Sequence, residues 1–494
     1  PVWLERFLWQ PAFHNSKAMQ IPKRSSTHTF DDNSPEKRRE HLLGNTGGRF
    51  CQRSWSLPIG SSGFTPDKYS EFVGQLAGAA NNGKLFRKAS VFMEEGELMT
   101  TRNTAITLAN QIVGAGMLAL PYAMQQAGFS FVFVLVGVAA LMGFTMWLIG
   151  DILESVENAA IEMGLPRMSR DWSLIGQLAF GERGRKAFAL CCMLDLYGAL
   201  ISFMLMIGVN LRILLPSAPA TLLTVSTGML IFLLLFAPER YFAVFASVGL
   251  LAQILIFACL LATGAELEAQ GTLAEDLVLL DLGGLPAALG IAIFIFVAHS
   301  EAPLLYQMME DRSEWHRAVK QGMLVSLVVF LAVGIVGYLV FGGAVEQSFT
   351  ANLGRDLHLK PLPGHFNMLF SGACAGLIAL KLLISQPFTA APLIKFVEDS
   401  AGLQKSPCAR FAWKACFMAA TTVLCITLQN SMAFVMEVLG CVVQNAICII
   451  LPCLAALQLK GEGMHFLWRC MLRVVVIIFV AYMAVGLKAS FAHA

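Results

Sequence analysis

Two stretches of the chain place helix-disrupting residues inside strongly apolar surroundings. The first is IVGAGMLALP at 112–121, in which Gly114 and Gly116 flank Ala115 and a proline follows. Glycine costs roughly 0.5–1 kcal/mol relative to alanine inside a helix, so this pair favours local unwinding. Unwinding leaves free amides on one side of the break and free carbonyls on the other, which suit an anion and a cation respectively. The stretch therefore predicts a site with complementary ends for a zwitterion.

The second stretch carries the titratable groups. IAIFIFVAHSEAPLLYQMMED at 291–311 interrupts an apolar run with His299, Ser300, Glu301 and Pro303. Histidine changes charge near neutral pH, and a carboxylate within a membrane segment is a functional-site hypothesis by default. Either Glu301 or His299 can therefore relay a proton. The alternative is that both stretches are kinked packing helices, because glycine and proline are common in membrane helices.

A lysine occupies a third apolar run. LKLLISQP at 380–387 places Lys381 four residues before Ser385, on the same face of a helix. A lysine in the middle of a membrane helix costs roughly 2.5–3.5 kcal/mol on insertion scales, so we expect it to be paired and functional rather than extended to the interface. Asp195 and Glu437 also lie in apolar runs, and for them structural pairing between helices is an equally good interpretation.

The composition of the chain indicates that these residues are positioned within a membrane protein. The chain has 494 residues, of which 56% are hydrophobic and 14% charged, whereas soluble proteins carry about 25% charged residues. The net charge of +2 says nothing about nucleic acid, and the sequence has no basic patch interleaved with aromatic residues, so we predict no nucleic acid partner. The twelve cysteines lack metal-ligand spacing, and neither a Ser/His/Asp arrangement nor a phosphate loop is present. We therefore predict no metal, no cofactor, no catalytic residue and no enzymatic activity.

Segments of about 20 apolar residues mark the predicted membrane spans. We expect a disordered cytosolic tail over 1–102, a transmembrane domain over 103–494, and an interfacial amphipathic piece at 171–181. The domain is predicted to be all-α, with eleven spans: 103–127, 131–152, 187–210, 219–237, 242–265, 284–308, 319–341, 366–394, 411–428, 432–458 and 467–490.

The distribution of lysine and arginine orients these spans. With the tail inside, the outside loops and the carboxyl end hold only Arg212, Arg355, Lys360 and Lys488, whereas the inside loops hold many more. Cytosolic loops are enriched in positive charge, so this asymmetry supports a cytosolic tail and a carboxyl terminus on the opposite side.

The two disrupted stretches belong to spans 1 and 6, which are five spans apart. Interrupted segments at matching positions of two halves are the best sequence pointer to a binding site in a transporter built from inverted repeats. The matched pair therefore predicts a binding site between spans 1 and 6.

At these residues the chain resembles the amino acid/auxin permease family, which includes the sodium-coupled neutral amino acid transporters. NQIVGAGMLALPYAMQQAG at 110–128 is similar to the first-span signature of the family, and FVAHSEAPLLYQM at 296–308 resembles its sixth span. GYLVFGGAVEQSFTANL at 337–353 and IGQLAFG at 175–181 also fit the family pattern. The resemblance covers about 105–460.

The resemblance implies a leucine-transporter-like fold, with a five-plus-five inverted repeat, broken helices 1 and 6, and an additional eleventh helix. By match, Gly114, Ala115 and Gly116 would hold a substrate carboxylate. The backbone around Ala298 and His299 would take the amino group. The full set of expected substrate-binding residues is Asn110, Val113, Gly114, Ala115, Gly116, Phe296, Ala298, His299, Ser300 and Glu301, with Phe296 bordering the side-chain pocket.

Lys381 and Ser385 are the predicted coupling residues. In relatives, span 8 and the carbonyls of broken span 1 together hold a sodium ion, and the ammonium of Lys381 would take its place. It would brace span 8 against the carbonyls near Asn110 and Val113. We therefore expect transport without sodium, with a proton as the candidate coupling ion.

The predicted function is secondary active or facilitative transport of amino acids by alternating access, with neutral side chains favoured. The partners are then the amino acid and the lipid bilayer, in either the plasma membrane or a vacuolar or other internal membrane. The alternative is an amino acid sensor that signals through its amino-terminal tail.

Overall fold

A computed structural model describes residues 98–493 apart from 166, 168–169, 237–245, 363–364 and 404–405. Within these ranges the chain is helical, and its β-structure is limited to two isolated bridges, Met99 with Met309 and Arg355 with Pro361. The first helix begins at Thr101, two residues before the predicted domain boundary. The predicted disordered tail lies almost wholly outside the described residues.

Apolar helices follow one another along the whole described region. Their bounds are α1 Thr101–Ile112, α2 Leu120–Ala127, α3 Phe131–Glu162, α4 Trp172–Leu214, α5 Ala220–Leu234, α6 Ala246–Ala269, α7 Leu285–Ile295, α8 Ala302–Met308, α9 Trp315–Phe341, α10 His365–Ser400, α11 Pro407–Thr427, α12 Met432–Val438, α13 Leu451–Leu459 and α14 Phe466–His493.

Each predicted span coincides with one or two of these helices. By length and composition, seven described helices are able to cross a membrane, or eight if the bent pair α1 and α2 counts as one span. The helices α5 and α7 are apolar but shorter. The structure therefore supports a multi-pass membrane protein, while the count of eleven spans stays a prediction.

The break predicted in span 1 is present. Val113 leaves helical geometry at φ −75° and ψ 68°, and Gly114 is extended at φ −102° and ψ −158°. A 3₁₀ helix over Ala115–Ala119 then leads into α2. The two parts of the span are bent by 47°.

Span 6 is also interrupted. Helix α7 ends at Ile295, and α8 begins only at Ala302, with Pro303 in its first turn. Proline suits that position because the first helical amides have no partner within the helix. The non-helical segment between them contains His299, Ser300 and Glu301, as the sequence predicted.

Helix α9 supports both halves of broken span 1. A Cβ atom at Gly322 would lie 3.0 Å from Leu108 Cδ2 in α1, and one at Gly337 would lie 2.4 Å from Pro121 Cγ in α2. Glycines at these two positions let the helices approach closely on both sides of the break. The break is thus fixed against a continuous helix.

Two further helices depart from regular geometry. Helix α4 is kinked at Gly181, whose φ is 67°, so the piece predicted at 171–181 is a helical segment that ends at this kink. Span 10 is π-helical over Leu439–Gln444 and Ala446–Ile450, between α12 and α13. Such π-segments often occur at functional sites, and nothing in the sequence pattern of span 10 predicts this one.

Candidate functional site at the paired helix breaks

The two helix breaks lie against each other. A Cβ atom at Gly116 would be 3.0 Å from Ile295 Cγ2 and 3.4 Å from Phe294 Cε1, at the end of α7. On the other side of the break, the side-chain amide of Gln111 donates a hydrogen bond to the carboxylate of Glu301. The structure therefore brings together the two stretches that the sequence singled out, which are almost 200 residues apart.

The backbone of the first break offers a free amide. The Gly114 amide donates to the Ile112 carbonyl at 2.7 Å, and the Met117 amide donates to the Gly114 carbonyl at 3.4 Å. Among the described backbone hydrogen bonds outside helices, Gly116 donates none. Its amide lies in the first turn of the 3₁₀ helix, where partial positive charge favours an anion.

The carbonyl of Val113 accepts a hydrogen bond from a residue that the sequence did not predict to be part of the site. It accepts a hydrogen bond from the side-chain amide of Gln253, a buried residue of α6. Gln253 was not among the predicted site residues. A single glutamine in an apolar helix carries no sequence signal of its own, and only the packing of α6 beside the break shows its role.

Lys381 does not form the predicted brace. Its ammonium makes neither a hydrogen bond nor an ion pair with any part of the chain that the structure describes, and Gln253 supplies the donor at the Val113 carbonyl instead. The Ser385 hydroxyl donates within its own helix, to the Lys381 carbonyl at 3.0 Å. Both residues lie on α10, as expected, but their role in coupling stays a prediction.

His299 is fully buried in the second break. Its Nε2 atom lies 2.9 Å from Thr145 Oγ1 and 3.2 Å from the carbonyl oxygen of Met142, both in α3. Because a carbonyl oxygen only accepts, the ring is assigned a proton on Nε2, which leaves Nδ1 as an acceptor. No described residue donates to that Nδ1 atom.

The backbone of His299 is held as firmly as its ring. Its carbonyl accepts from Trp172 Nε1 at 2.8 Å and from the Ala302 amide at 3.2 Å. These two donors use both lone pairs of that carbonyl. The family resemblance implies that the backbone around Ala298 and His299 binds the amino group of the substrate. Because the His299 carbonyl already has two donors, that amino group would need other acceptors.

Two buried carboxylates meet beside this break. Asp195 of α4 accepts from Gln444 Nε2 at 3.2 Å and interacts with the Ser300 hydroxyl, while the neighbouring Glu301 accepts from Gln111. Among the described residues, no lysine or arginine forms an ion pair with either carboxylate. Spans 1, 3, 6 and 10 therefore contribute to one polar cluster that contains two acids.

The remaining predicted residues are more loosely connected to the site. Phe296 is fully buried and packs edge-on against Phe330 of α9, with ring centroids 5.0 Å apart. Ala298 is also buried, whereas the half-buried Asn110 side chain makes no hydrogen bond with the described part of the chain. Glu437 lies outside the cluster and accepts from Gln126 Nε2 at 2.8 Å.

An all-helical chain with many apolar helices and two facing helix breaks is an integral, multi-pass membrane protein of the transporter class. The chain belongs to the family described as transmembrane amino acid transporter protein, whose sequence profile matches residues 98–492. This membership confirms the resemblance seen in the sequence. The family consists of transporters, which agrees with the prediction that the chain is not an enzyme.

Relatives of known name agree with this assignment. Amino acid transporter AVT1D of Arabidopsis thaliana is 25% identical over 385 residues, which are 75% of this chain and 66% of the relative. Amino acid transporter AVT1E of the same plant is 22% identical over 400 residues, covering 78% of this chain and 72% of the relative.

A solved structure shows the same fold. The crystal structure of MhsT in complex with L-phenylalanine has a TM-score of 0.51 at 14% identity, and the match covers 80% of this chain and 99% of that chain. MhsT has a leucine-transporter-like fold, so the likeness supports the predicted architecture.

Proposed function

We propose that the chain carries amino acids across its membrane by alternating access, with the substrate held between the breaks of spans 1 and 6. The observation that carries this proposal is the pairing of the breaks, in which the Gly116 amide has no partner among the described backbone hydrogen bonds outside helices. Free amides at a helix start bind carboxylates. Every amino acid has a carboxylate next to its amino group, so this feature selects the substrate class rather than one member.

The amino group of the substrate has acceptors nearby. The unpartnered Nδ1 of His299 and the carboxylate of Glu301 both belong to the second break, opposite the free amide of the first. A zwitterion would therefore place its two charges on two different spans. The names of the relatives support amino acids as substrates, and the family resemblance favours neutral side chains.

Sodium independence is the second part of the proposal. Backbone carbonyls at a broken helix are ligands for sodium in transporters of this architecture. Here the Val113 carbonyl receives the Gln253 amide, a neutral donor that removes one oxygen from such a set. We therefore expect transport in the absence of sodium.

Proton coupling completes the proposal, with Glu301 as the residue that takes the proton. Two carboxylates in a low-dielectric interior repel each other when both are ionised, and no basic side chain pairs with Asp195 or Glu301 in the described part of the chain. Proton binding removes that repulsion. A proton on Glu301 would also weaken its hydrogen bond from Gln111, which links the two broken spans.

Reconstitution into liposomes tests the function directly. The purified full-length chain is given a panel of labelled amino acids, with sodium or choline outside and with or without an imposed pH gradient, and protein-free liposomes serve as the control. We expect uptake in choline that an inward proton gradient increases. Binding without flux would reject transport in favour of a sensor, and strictly sodium-dependent uptake would reject the coupling scheme.

A further inference from the structure

Three arginines converge away from the paired breaks, where the loop after α3 meets the segment after α8. Arg170 Nη1 and Arg312 Nη2 both lie 2.8 Å from the same carboxylate oxygen, Oε1 of Glu157. Arg167 Nη2 donates to the Met309 carbonyl at 2.6 Å. We call Arg167, Arg170 and Arg312 the arginine cluster.

The arginine cluster carries more positive charge than its surroundings neutralise. Three guanidinium groups face the single carboxylate of Glu157. Asp311 is engaged with Ser313, and Glu314 pairs with Arg317 at 3.3 Å. Asp171 accepts from the amides of Ser173 and Leu174, and three further acids close in sequence, at 154, 162 and 310, are exposed to solvent.

Repulsion between the guanidinium groups affects the pKa of Arg167. Burial, followed by repulsion from Arg312 and Arg170, lowers the pKa of Arg167 despite the opposing effect of Glu157. Guanidinium groups that repel one another in a partly buried place are stabilised by an anion that enters between them.

The arginine cluster also has donors without acceptors. The Nε atoms of Arg167 and Arg170 are buried and have no hydrogen-bond partner among the described residues. The Arg170 side chain is only 10% exposed, so water does not freely replace the missing acceptor. A buried N–H group without a partner is unfavourable, and these two belong to charged groups, for which the loss is larger.

We propose that the arginine cluster binds a phosphate group. Guanidinium groups donate two parallel hydrogen bonds to phosphate oxygens, and a phosphate offers several oxygens to three converging donors. The arginine cluster lies on the side of the membrane that the charge distribution identifies as cytosolic, where anionic lipids are abundant. The phosphate comes either from a lipid headgroup or from a soluble phosphate compound, and the two sources are distinguishable by experiment.

Phosphate binding at this place would act on both broken spans. Arg312 lies four residues after the end of α8 in span 6, and Arg167 donates to the carbonyl of Met309, the first residue after that helix. The same segment pairs with Met99, just before span 1, through hydrogen bonds of 2.8 and 2.9 Å. A phosphate shared by the arginines would stabilise this arrangement. If the chain works by alternating access as proposed above, it would also slow turnover, but binding itself does not depend on that proposal.

The test measures phosphate binding by the full-length purified protein. In detergent, the melting temperature is followed against inorganic phosphate, with chloride at matched ionic strength as the reference. In nanodiscs, phosphatidylcholine alone is compared with phosphatidylcholine containing phosphatidic acid. A ligand that binds only the folded state raises the melting temperature, so a rise specific to phosphate is expected in at least one arm, and the responding arm identifies the source.

Matched variants assign the effect to the arginine cluster. Arg170→Gln and Arg312→Gln should weaken phosphate binding by about tenfold or more, because each removes charge-assisted hydrogen bonds. Arg317→Gln removes the same charge from an exposed neighbour and should bind phosphate as the wild type does. Arg170→Lys keeps the charge if the glutamine variant does not fold, and should bind more weakly than the wild type for lack of the planar fork.

The Glu157→Gln variant separates this proposal from a purely structural ion pair. Without the competing carboxylate, the arginines should bind phosphate more tightly, even if the protein without phosphate melts at a lower temperature. A structural ion pair predicts the lower melting temperature alone. No phosphate-specific stabilisation of the wild type in either arm, or an equal loss in Arg317→Gln, would overturn the proposal.

Discussion

Among single residues, Glu301 is the one that links the two broken spans in our proposal. Its carboxylate accepts a hydrogen bond from Gln111 of span 1, and its own backbone belongs to the break of span 6. We expect Glu301→Gln to weaken substrate binding without abolishing it, since the amide oxygen still accepts hydrogen bonds but the negative charge that would face the substrate amino group is lost. Uptake should lose all of its stimulation by an imposed proton gradient, since an amide cannot exchange a proton. The measurement is the initial uptake rate with and without the gradient.

Glu437→Gln is the control for that prediction. Glu437 is another buried carboxylate, but its partner is Gln126, and it lies outside the polar cluster. This variant should retain the response to the gradient. If both variants lost the response, or if Glu301→Gln retained it, Glu301 would not be the coupling residue.

Gln253 and Lys381 are competing explanations for sodium independence, and substitutions separate them. Gln253→Leu leaves the Val113 carbonyl unpaired, which should cost about 1–3 kcal/mol of stability and free an oxygen for a cation. We expect a lower melting temperature and residual uptake newly stimulated by sodium. Sodium stimulation of Lys381→Ala with none in Gln253→Leu would show that the lysine, not the glutamine, takes the place of the ion.

The helix breaks could be predicted from the sequence because their causes are local. Gly114, Gly116 and Pro303 disrupt a helix wherever it lies, and Glu301 is conspicuous in an apolar run. The partners of the breaks could not be predicted in this way. Trp172 reaches His299 across 127 residues of sequence, and Gln253 reaches Val113 across 140. Such pairings follow from the packing of whole helices, and they cannot be predicted from any single residue.

At the level of helices, span 6 and the π-helical part of span 10 pack with their backbones in close contact. A Cβ atom at Gly440 would lie 1.8 Å from the Gly290 carbonyl oxygen. Gly440→Ala should therefore force α7 and span 10 apart, at a cost of roughly 1–3 kcal/mol or more. The melting temperature of the purified variant measures the effect.

Gly137→Ala provides the matched comparison in a helix. Gly137 of α3 is exposed and has no atom within 4 Å of an added Cβ, so alanine there should leave the melting temperature unchanged or raise it slightly. Equal melting temperatures for Gly440→Ala and the wild type would show that the backbone contact with Gly290 does not limit stability.

At the scale of the whole molecule, composition predicted a multi-pass membrane protein, and the charge distribution predicted its orientation. The number of spans is harder to establish from the structure, because length and composition alone identify seven or eight helices that are able to cross a membrane. Short helices such as α5 and the halves of the broken spans fall below that criterion, although each coincides with a predicted span.

Topology is tested by labelling Lys488→Cys with a membrane-impermeant reagent. Eleven spans with a cytosolic tail place Lys488 on the extracellular or lumenal side. The native cysteines that are not buried, Cys191, Cys192, Cys408, Cys416 and Cys470, are first replaced by serine, together with Cys51 of the amino-terminal tail. In protein at the plasma membrane, Lys488→Cys should be labelled in intact cells, and Arg410→Cys only after permeabilisation. The reverse pattern would show that the number of spans is even or that the orientation is inverted.

Amino acid binding to Gly114→Val shows whether the paired breaks hold the substrate carboxylate. Bulk at Gly114 or Gly116 obstructs the approach of a carboxylate to the free amide. Gly116 also touches Ile295, whereas a Cβ atom at Gly114 makes only ordinary contacts of 3.5 and 3.9 Å with the preceding carbonyls. Gly114→Val therefore changes the site with little effect on packing.

The measurement is equilibrium binding of the amino acid that the uptake panel identifies, to purified wild type and Gly114→Val of comparable melting temperature. We expect binding to be lost in the variant while insertion and stability are retained. Unchanged affinity in a correctly inserted, stable Gly114→Val protein would contradict this expectation and place the amino acid elsewhere.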